Sequence, residues 1–250
     1  MKKEKLYIAL ILVAFVASFI LSFFYIFTLS KVELKCEALT GEQVSTIQTA
    51  VSEFEGENLL FLDTDKIKDK VSSFTDYKIV SVEKKYPSTV VVTIKERVET
   101  FAIVNEGSAV IIDDEGYVLR VDDDFSSSRE LVTLNFNGLT LSNATVGQVV
   151  TTSDNEMLFA VMAMAKKVNY YNCIKSIELE RAVEKRFAYF NTYTGVQIEV
   201  PDVLIRGEEK ILYAFNEYDS CDSDFIKSFD KIIVFIKQDG NLGATWVKNG

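Results

Sequence analysis

Apolar residues run from Leu6 to Leu29 with no charge among them, 24 positions in all. At about 1.5 Å per residue a helix of that length reaches roughly 36 Å, against a hydrocarbon core of about 30 Å, so the stretch predicts a transmembrane helix. Tyr7 and Tyr25 lie near its ends, where amphipathic rings collect at a membrane surface. Lys2, Lys3 and Lys5 precede it and Lys31 and Lys35 follow. That balance predicts a cytoplasmic tail over residues 1–5 and an exported remainder. A cleaved signal peptide is the competing reading. Its apolar region normally spans about 7–15 residues, and Thr28-Leu29-Ser30 is a poor cleavage site. Lys35 stands before Cys36 where a lipoprotein anchor needs a small residue.

Past the apolar run the period changes. Val32, Leu34 and Cys36 alternate, which predicts a strand over Lys31 to Leu39. Val44, Ile47, Val51 and Phe54 recur at helical spacing before Gly56. Asp63 and Thr64 can cap a second helix whose inward face is Ile67, Val71 and Phe74. Ile79 to Tyr86 and Thr89 to Glu96 predict strands joined at Pro87-Ser88. In the second of these Val90, Val92 and Ile94 share a face, and Thr89, Val91, Thr93 and Lys95 share the other. Strand, helix, helix, strand, strand is one compact core, bounded at 31–97.

The texture changes at Glu96-Arg97, and residues 98–250 predict a second domain. Strands are expected at Phe101–Val104, Val110–Ile112, Tyr117–Val121, Leu131–Phe136, Ile174–Glu180, Phe187–Phe190, Val196–Val200, Ile232–Lys237 and Ala244–Val247. Asn105-Glu106-Gly107 and Asp113-Asp114-Glu115-Gly116 read as turns, and Asp122 to Arg129 as a polar loop. A helix is expected after Ser153, which stands three residues before Glu156 in a capping-box spacing. A second is expected over Gly207–Tyr218, with Ile211 and Phe215 inward. The fold class is therefore α+β, the second domain holding an antiparallel-rich sheet and two helices.

The 250 residues include no histidine, which excludes histidine-based hydrolase triads and histidine-bearing zinc sites. The net charge is −10, and nucleic acid is not an expected partner, because phosphate contacts need clustered Lys and Arg. Three cysteines, none in a C-x-x-C spacing, give no metal knuckle. Cys173 and Cys221 could bridge, or all three thiols could be free. Asp113, Asp114 and Glu115 lack the twelve-residue calcium pattern and suit a turn. Asp219, Asp222 and Asp224 read as a solvated loop. Glu178, Glu180 and Glu184 would have to converge across a cleft to cleave a glycan, and Glu178 and Glu180 fall on one exposed strand face instead. No enzyme activity and no cofactor are expected.

Ile232-Ile233-Val234-Phe235-Ile236 is apolar on both faces. It is either an internal strand covered on both sides or an edge strand that takes its second neighbour from another protein. Trp246, the sole tryptophan, is either a core anchor or an interface hot spot.

Two stretches, G-E-N-L-L-F-L-D-T over Gly56–Thr64 and V-E-K-K-Y-P-S-T-V-V-V-T-I-K-E-R over Val82–Arg97, together resemble the POTRA domain of the FtsQ/DivIB family of bacterial division proteins. A-V-I-I-D-D-E-G-Y-V-L over Ala109–Leu119, Gly207–Leu212 and Lys231–Trp246 resemble parts of that family's β-rich second domain. In place of the family's frequent Val-x-Gly at the end of the first strand stands Cys36-Glu37-Ala38. The resemblance implies a non-enzymatic, septal scaffold that binds DivIC/FtsB-like and FtsL-like division proteins and helps recruit or regulate the septal peptidoglycan synthase complex. It also implies that the final strands form the partner edge. This makes Ile233, Phe235, Lys237 and Trp246, with Ile232, Val234 and Ile236, the candidate partner-binding residues. Of these, Ile232, Val234 and Ile236 are expected to face inward, and Ile233, Phe235 and Lys237 outward. A POTRA-bearing receptor of a transport or envelope-assembly system is the alternative; that class usually carries several POTRA repeats and a barrel or channel.

Overall fold

The computed structural model describes residues 2–37, 41–105, 107–126, 131–168, 172–183 and 185–248. Glu106, Glu184, the ends of the expected first strand and of the polar loop after Asp122 lie outside the described residues. The chain divides into two compact units, Met1–Arg97 and Val98–Gly250.

The first unit opens with a 25-residue helix, α1 (Lys2–Ile26). Among the described residues no helix is long and apolar enough to cross a membrane. α1 stops at Ile26, three residues short of the Leu29 end expected from the charge-free run. Strand β1 (Lys31–Glu37) follows, then α2 (Gly41–Val51), which tightens into a 3₁₀ turn over Ser52–Phe54. Helix α3 (Thr64–Ser72) begins at Asp63, whose carboxylate accepts the Asp65 N–H at 3.0 Å. The hairpin β2 (Tyr77–Lys85) and β3 (Thr89–Glu96) completes a sheet in the order β1-β3-β2, with β1 parallel to β3 and β2 antiparallel to it. Val32, Ile47, Val51, Ile67, Val71, Val90, Val92 and Ile94 form its core. Phe74, expected on the inward face of α3, lies just past the helix and is only partly buried. Val91, on the opposite face of β3, is buried as well. It stands between Glu33 and Glu83 in register.

The second unit is a nine-stranded mixed sheet with helices on one face. Its strands are β4 (Phe101–Asn105), β5 (Ser108–Ile112), β6 (Val118–Asp122), β7 (Val132–Asn137), β10 (Ile174–Arg181), β11 (Arg186–Thr192), β12 (Gln197–Pro201), β13 (Lys231–Ile236) and β14 (Leu242–Val247). The order is β14-β13-β12-β11-β10-β7-β4-β5-β6. Antiparallel pairs outnumber parallel ones, which are β10 with β7, β4 with β7 and β12 with β13. A small separate pair, β8 (Leu141–Asn143) and β9 (Thr151–Thr152), and the short helix α6 (Ser223–Lys227) were not expected from the pattern.

Helices α4 (Asn155–Val168) and α5 (Gly207–Asp219) bury Met157, Val161, Ile211 and Phe215 against Ile177, Phe190, Ile198, Ile232 and Val234. The cap of α4 differs from the expected capping box. Asp154, one residue after Ser153, accepts the Met157 N–H at 3.2 Å, while the Ser153 hydroxyl accepts the Thr140 N–H at 3.1 Å. On the other face of the sheet Leu131 and Phe125 pack over Ala102, Ala109 and Ile111 of β4 and β5, and Thr133 of β7, opposite Ala102, is buried as well. Cys36, Cys173 and Cys221 are free thiols.

Candidate functional site: the free edge of the nine-stranded sheet

The two larger sheets have four edges, and three are guarded. On β1 the Val32 carbonyl accepts from Gln48 Nε2 at 2.8 Å and its N–H reaches Glu55 Oε1 at 3.4 Å, while Lys31, Glu33 and Lys35 place charges along the strand. On β2 a bulge falls between Ile79 and Ser81, and Lys78, Glu83, Lys84 and Lys85 supply charge. On β6 the Val118 backbone is bonded to Gln148 and Gly147, and Arg120 pairs with Glu99 and Asp122. These are the usual devices that stop a strand edge from pairing further.

The fourth edge, β14, reads Leu-Gly-Ala-Thr-Trp-Val. It carries no charge, no proline and no bulge in its register with β13. This corrects the expectation that Ile232–Ile236 is the edge. Those residues lie in β13, which pairs with β14 on one side and with β12 on the other. The β12 pairing stops at Glu199 opposite Ile233, so Val234, Phe235 and Ile236 run past it.

Register fixes what the edge offers. Lys237 N–H bonds to Asn241 O at 2.7 Å where the hairpin closes. Antiparallel ladders alternate bonded and non-bonded pairs. Counting along the register from 237 and 241, Phe235 with Gly243 and Ile233 with Thr245 are the bonded pairs. The backbone groups of Leu242, Ala244 and Trp246 therefore point away from β13, toward the open side.

The side chains sort by face. Ile232 and Val234 are buried under the helices, as expected, and Trp246 and Ala244 pack against the same cluster from the opposite register positions. Trp246 meets Phe225 edge-on at 5.2 Å and Phe229 at 5.5 Å, which makes it a partly buried anchor beside the edge. Ile236 departs from the inward expectation: it is exposed at the strand end, past the reach of β12. Phe235 is 38% exposed on the open face, with Lys237 also exposed and Ile233 half-buried. The Phe235 ring and the Lys237 stem lie over Gly243, where an added Cβ would stand 2.9 Å from the ring and 2.8 Å from Lys237 Cε.

Two residues that pattern reading passed over brace this end of the sheet, Arg206 at the β13–β14 hairpin and Lys210 at the end of β12. Arg206, at φ 55° before α5, donates from Nη1 to Gly240 O at 2.7 Å and pairs with Glu209 at 2.6 Å. Lys210 is only 3% exposed and donates to Pro201 O at 2.6 Å and Asp202 O at 3.2 Å; burial pushes its pKa down. A buried lysine bonded to carbonyls leaves no trace in a hydrophobic pattern.

The open face next to the edge is polar and internally bonded. Lys231 pairs with Glu199 at 2.9 Å and sits 5.5 Å from the Tyr189 ring, whose hydroxyl donates to Glu180 at 2.9 Å. Burial and the Glu180 carboxylate both push the Tyr189 pKa up. Glu178 and Glu180 share this face and Glu184 lies outside the described residues. Asp113 closes its turn by accepting the Glu115 and Tyr117 N–H groups, each at 2.9 Å. Asp222 caps α6 through the Asp224 and Phe225 N–H groups. Among the described residues no cluster of three or more potential metal ligands occurs.

Residues 36–97 match the family of POTRA domains described as FtsQ-type. Over 93 residues, 37% of this chain, the sequence is 30% identical to the cell division protein DivIB of Clostridium acetobutylicum. The matched stretch covers 36% of that protein's length. Together the two matches bear out the resemblance to the FtsQ/DivIB family.

Proposed function

We propose that this chain is a non-enzymatic division scaffold, anchored in the cell membrane at the septum by the helical part of the charge-free run, Leu6 to Ile26, with its N-terminus cytoplasmic. Its exported units bind DivIC/FtsB-like and FtsL-like proteins and help assemble or regulate septal peptidoglycan synthesis. The FtsQ-type POTRA match and the DivIB relative support the cell-division assignment. The 24 charge-free residues and three preceding lysines support the anchor. The observation that supports partner binding is the unguarded β14, when the other three edges of the two larger sheets are blocked. A partner segment adds there as a further strand, drawing affinity from backbone bonds and specificity from Phe235, Ile233, Lys237 and Trp246.

The test is Ala244→Pro. Proline at 244 removes an N–H that points outward, so the β13–β14 ladder is kept while the incoming strand loses a donor and meets the ring. Titration with a DivIC/FtsB-type ectodomain should show binding weakened at least about tenfold, which is ~1.4 kcal/mol, with an unchanged circular dichroism melt. Unweakened binding by the folded variant would exclude β14 as the pairing edge.

A further inference from the structure

The junction between α1 and the three-stranded sheet has no slack. α1 ends at Ile26, and Leu29 is already in the core. Between them the backbone is locked to the loop before α3: Leu59 N–H donates to Phe27 O at 2.7 Å, Leu29 N–H to Glu57 O at 2.8 Å, and Gly56 N–H to Leu29 O at 2.8 Å. Gly56 holds φ +94°, a conformation glycine adopts without strain. Asn58 Nδ2 donates to Phe24 O at 3.2 Å, and Ser30 bonds to Ser88 in the β2–β3 turn. The helix end is thus fixed to this unit from two sides.

Two aromatic side chains of the unit flank that helix end. Phe61 stacks on Phe24 with centroids 5.9 Å apart, and Tyr86 meets Phe27 edge-on at 6.0 Å. Phe61 is nonetheless 73% exposed and Tyr86 58%. Leu59 and Leu62 on either side of Phe61 are buried, so the loop turns one large apolar ring outward while packing its neighbours.

Depth decides what meets those rings. Twenty helical residues counted from Leu6 span about 30 Å and end at Tyr25. Phe24 then lies at the boundary of the hydrocarbon, and a ring stacked on it lies at the same level. We infer that Phe61 and Tyr86 insert into the acyl–headgroup boundary of the bilayer, seating the POTRA unit directly on the membrane. The inference rests on α1 being the membrane anchor. The nearby charges are mixed, Lys31, Lys84 and Lys85 with Glu33, Glu57 and Glu83, so attachment is by apolar rings and a neutral lipid suffices.

The experiment places single tryptophans in full-length protein carrying Trp246→Phe, reconstituted into phosphatidylcholine vesicles brominated at shallow acyl positions. Phe61→Trp and Tyr86→Trp should both lose most of their emission to bromine. Asp76→Trp lies beyond the start of β2, ten residues along the strand from Tyr86 and about 33 Å away, and should lose none. Phe15→Trp, in the middle of α1, reports the anchor separately, in vesicles brominated at deep acyl positions. Quenching at 15 without quenching at 61 and 86 overturns the inference and leaves the anchor standing. No quenching at 15 overturns the anchor itself. Blue-shifted but bromine-insensitive emission at 61 also overturns the inference, because protein rather than lipid then covers the ring. Matching circular dichroism spectra for the 61 and 86 variants confirm that each reports on the folded unit.

Discussion

The two units solve the same problem differently. Each has a sheet with helices on one face, and each must end its sheet somewhere. The POTRA unit blocks both its edges, β1 with Gln48, Glu55 and alternating charges, β2 with a bulge and four charged residues. The second unit blocks β6 and leaves β14 bare. An exposed, uncharged edge carries an aggregation risk that natural sequences remove elsewhere in the same chain. Its retention at one place is the observation on which the proposal of a partner edge rests.

The units also differ in what closes their cores. The second unit has a core drawn from nine strands and two long helices, whereas the first is small and borrows Leu29 from before its first strand. The largest expected effect follows from that. A fragment of residues 31–97, the bounds the pattern predicts, lacks the Phe27–Leu29 segment. Losing the buried Leu29 costs about 2 kcal/mol, and the lost backbone bonds to Glu57, Gly56 and Leu59 raise the total to about 3 kcal/mol. A unit of this size has stability of order 5 kcal/mol. Urea unfolding of 27–97 against 31–97 should show the shorter fragment well below the longer in midpoint. Equal midpoints would mean that the segment is held by α1 and adds nothing to this core.

That boundary shows where pattern reading stops. The α3 face of Ile67 and Val71 and the Val90, Val92 and Ile94 face of β3 were legible from period, whereas the burial of Val91 on the opposite face was not. Leu29 was absorbed into the apolar run and looked like the end of the helix. The edge was misplaced for a related reason. Five apolar residues in Ile232–Ile236 say that a strand is covered on both faces, but nothing about its neighbours in the sheet. Strand order is set by long-range pairing, and β14, with Gly243 in its middle, carries a weak strand signal although it supplies the edge. Periodicity also hid Lys210 and Arg206, whose partners are backbone carbonyls outside their own helix, at Pro201 and Asp202 for the one and at Gly240 for the other.

A second, somewhat smaller effect sharpens the contrast between blocked and open edges. Phe235 lies across Gly243 on the open face, half in contact and half in solvent. Phe235→Lys should leave the melt close to that of the parent, because Ile232 and Val234 on the other face hold the core. It should cost a DivIC/FtsB-type partner about 2 kcal/mol, roughly 30-fold in Kd. Collapse of the melt would assign Phe235 to the core, and unchanged binding would remove it from the interface. Charge added to an edge already blocked, as in Val80→Lys on β2, should change neither quantity.

The smallest effect separates the units by acid. Asp154 is the one carboxylate among the described residues held at once by two arginines and a helix N-terminus. Its side chain is 5% exposed, 2.7 Å from Arg186, 3.3 Å from Arg181 and 3.2 Å from the Met157 N–H. Burial alone would raise its pKa, but the Arg186 hydrogen bond, the Met157 N–H and the charges of both arginines outweigh it and hold the pKa below the ordinary value. A carboxyl lowered in the folded state stabilises fully above the unfolded pKa of about 3.9, and that contribution drains away as pH falls through the lower folded value. Both arginines are more than a third exposed, so solvent screens the pair. Asp154→Ala should therefore cost roughly 1.5 kcal/mol at neutral pH, most of it from the lost cap. In the POTRA unit Glu33 is also lowered, by its hydrogen bond and pairing with Lys31, but it lies on the surface and should add little acid sensitivity. Melting of parent and Asp154→Ala across pH 2–7 should show a gap confined to the transition of the second unit, widest at neutral pH and narrowing below the ordinary aspartate range. A gap that persists unchanged at the lowest pH would show that Asp154 acts by packing and not by charge.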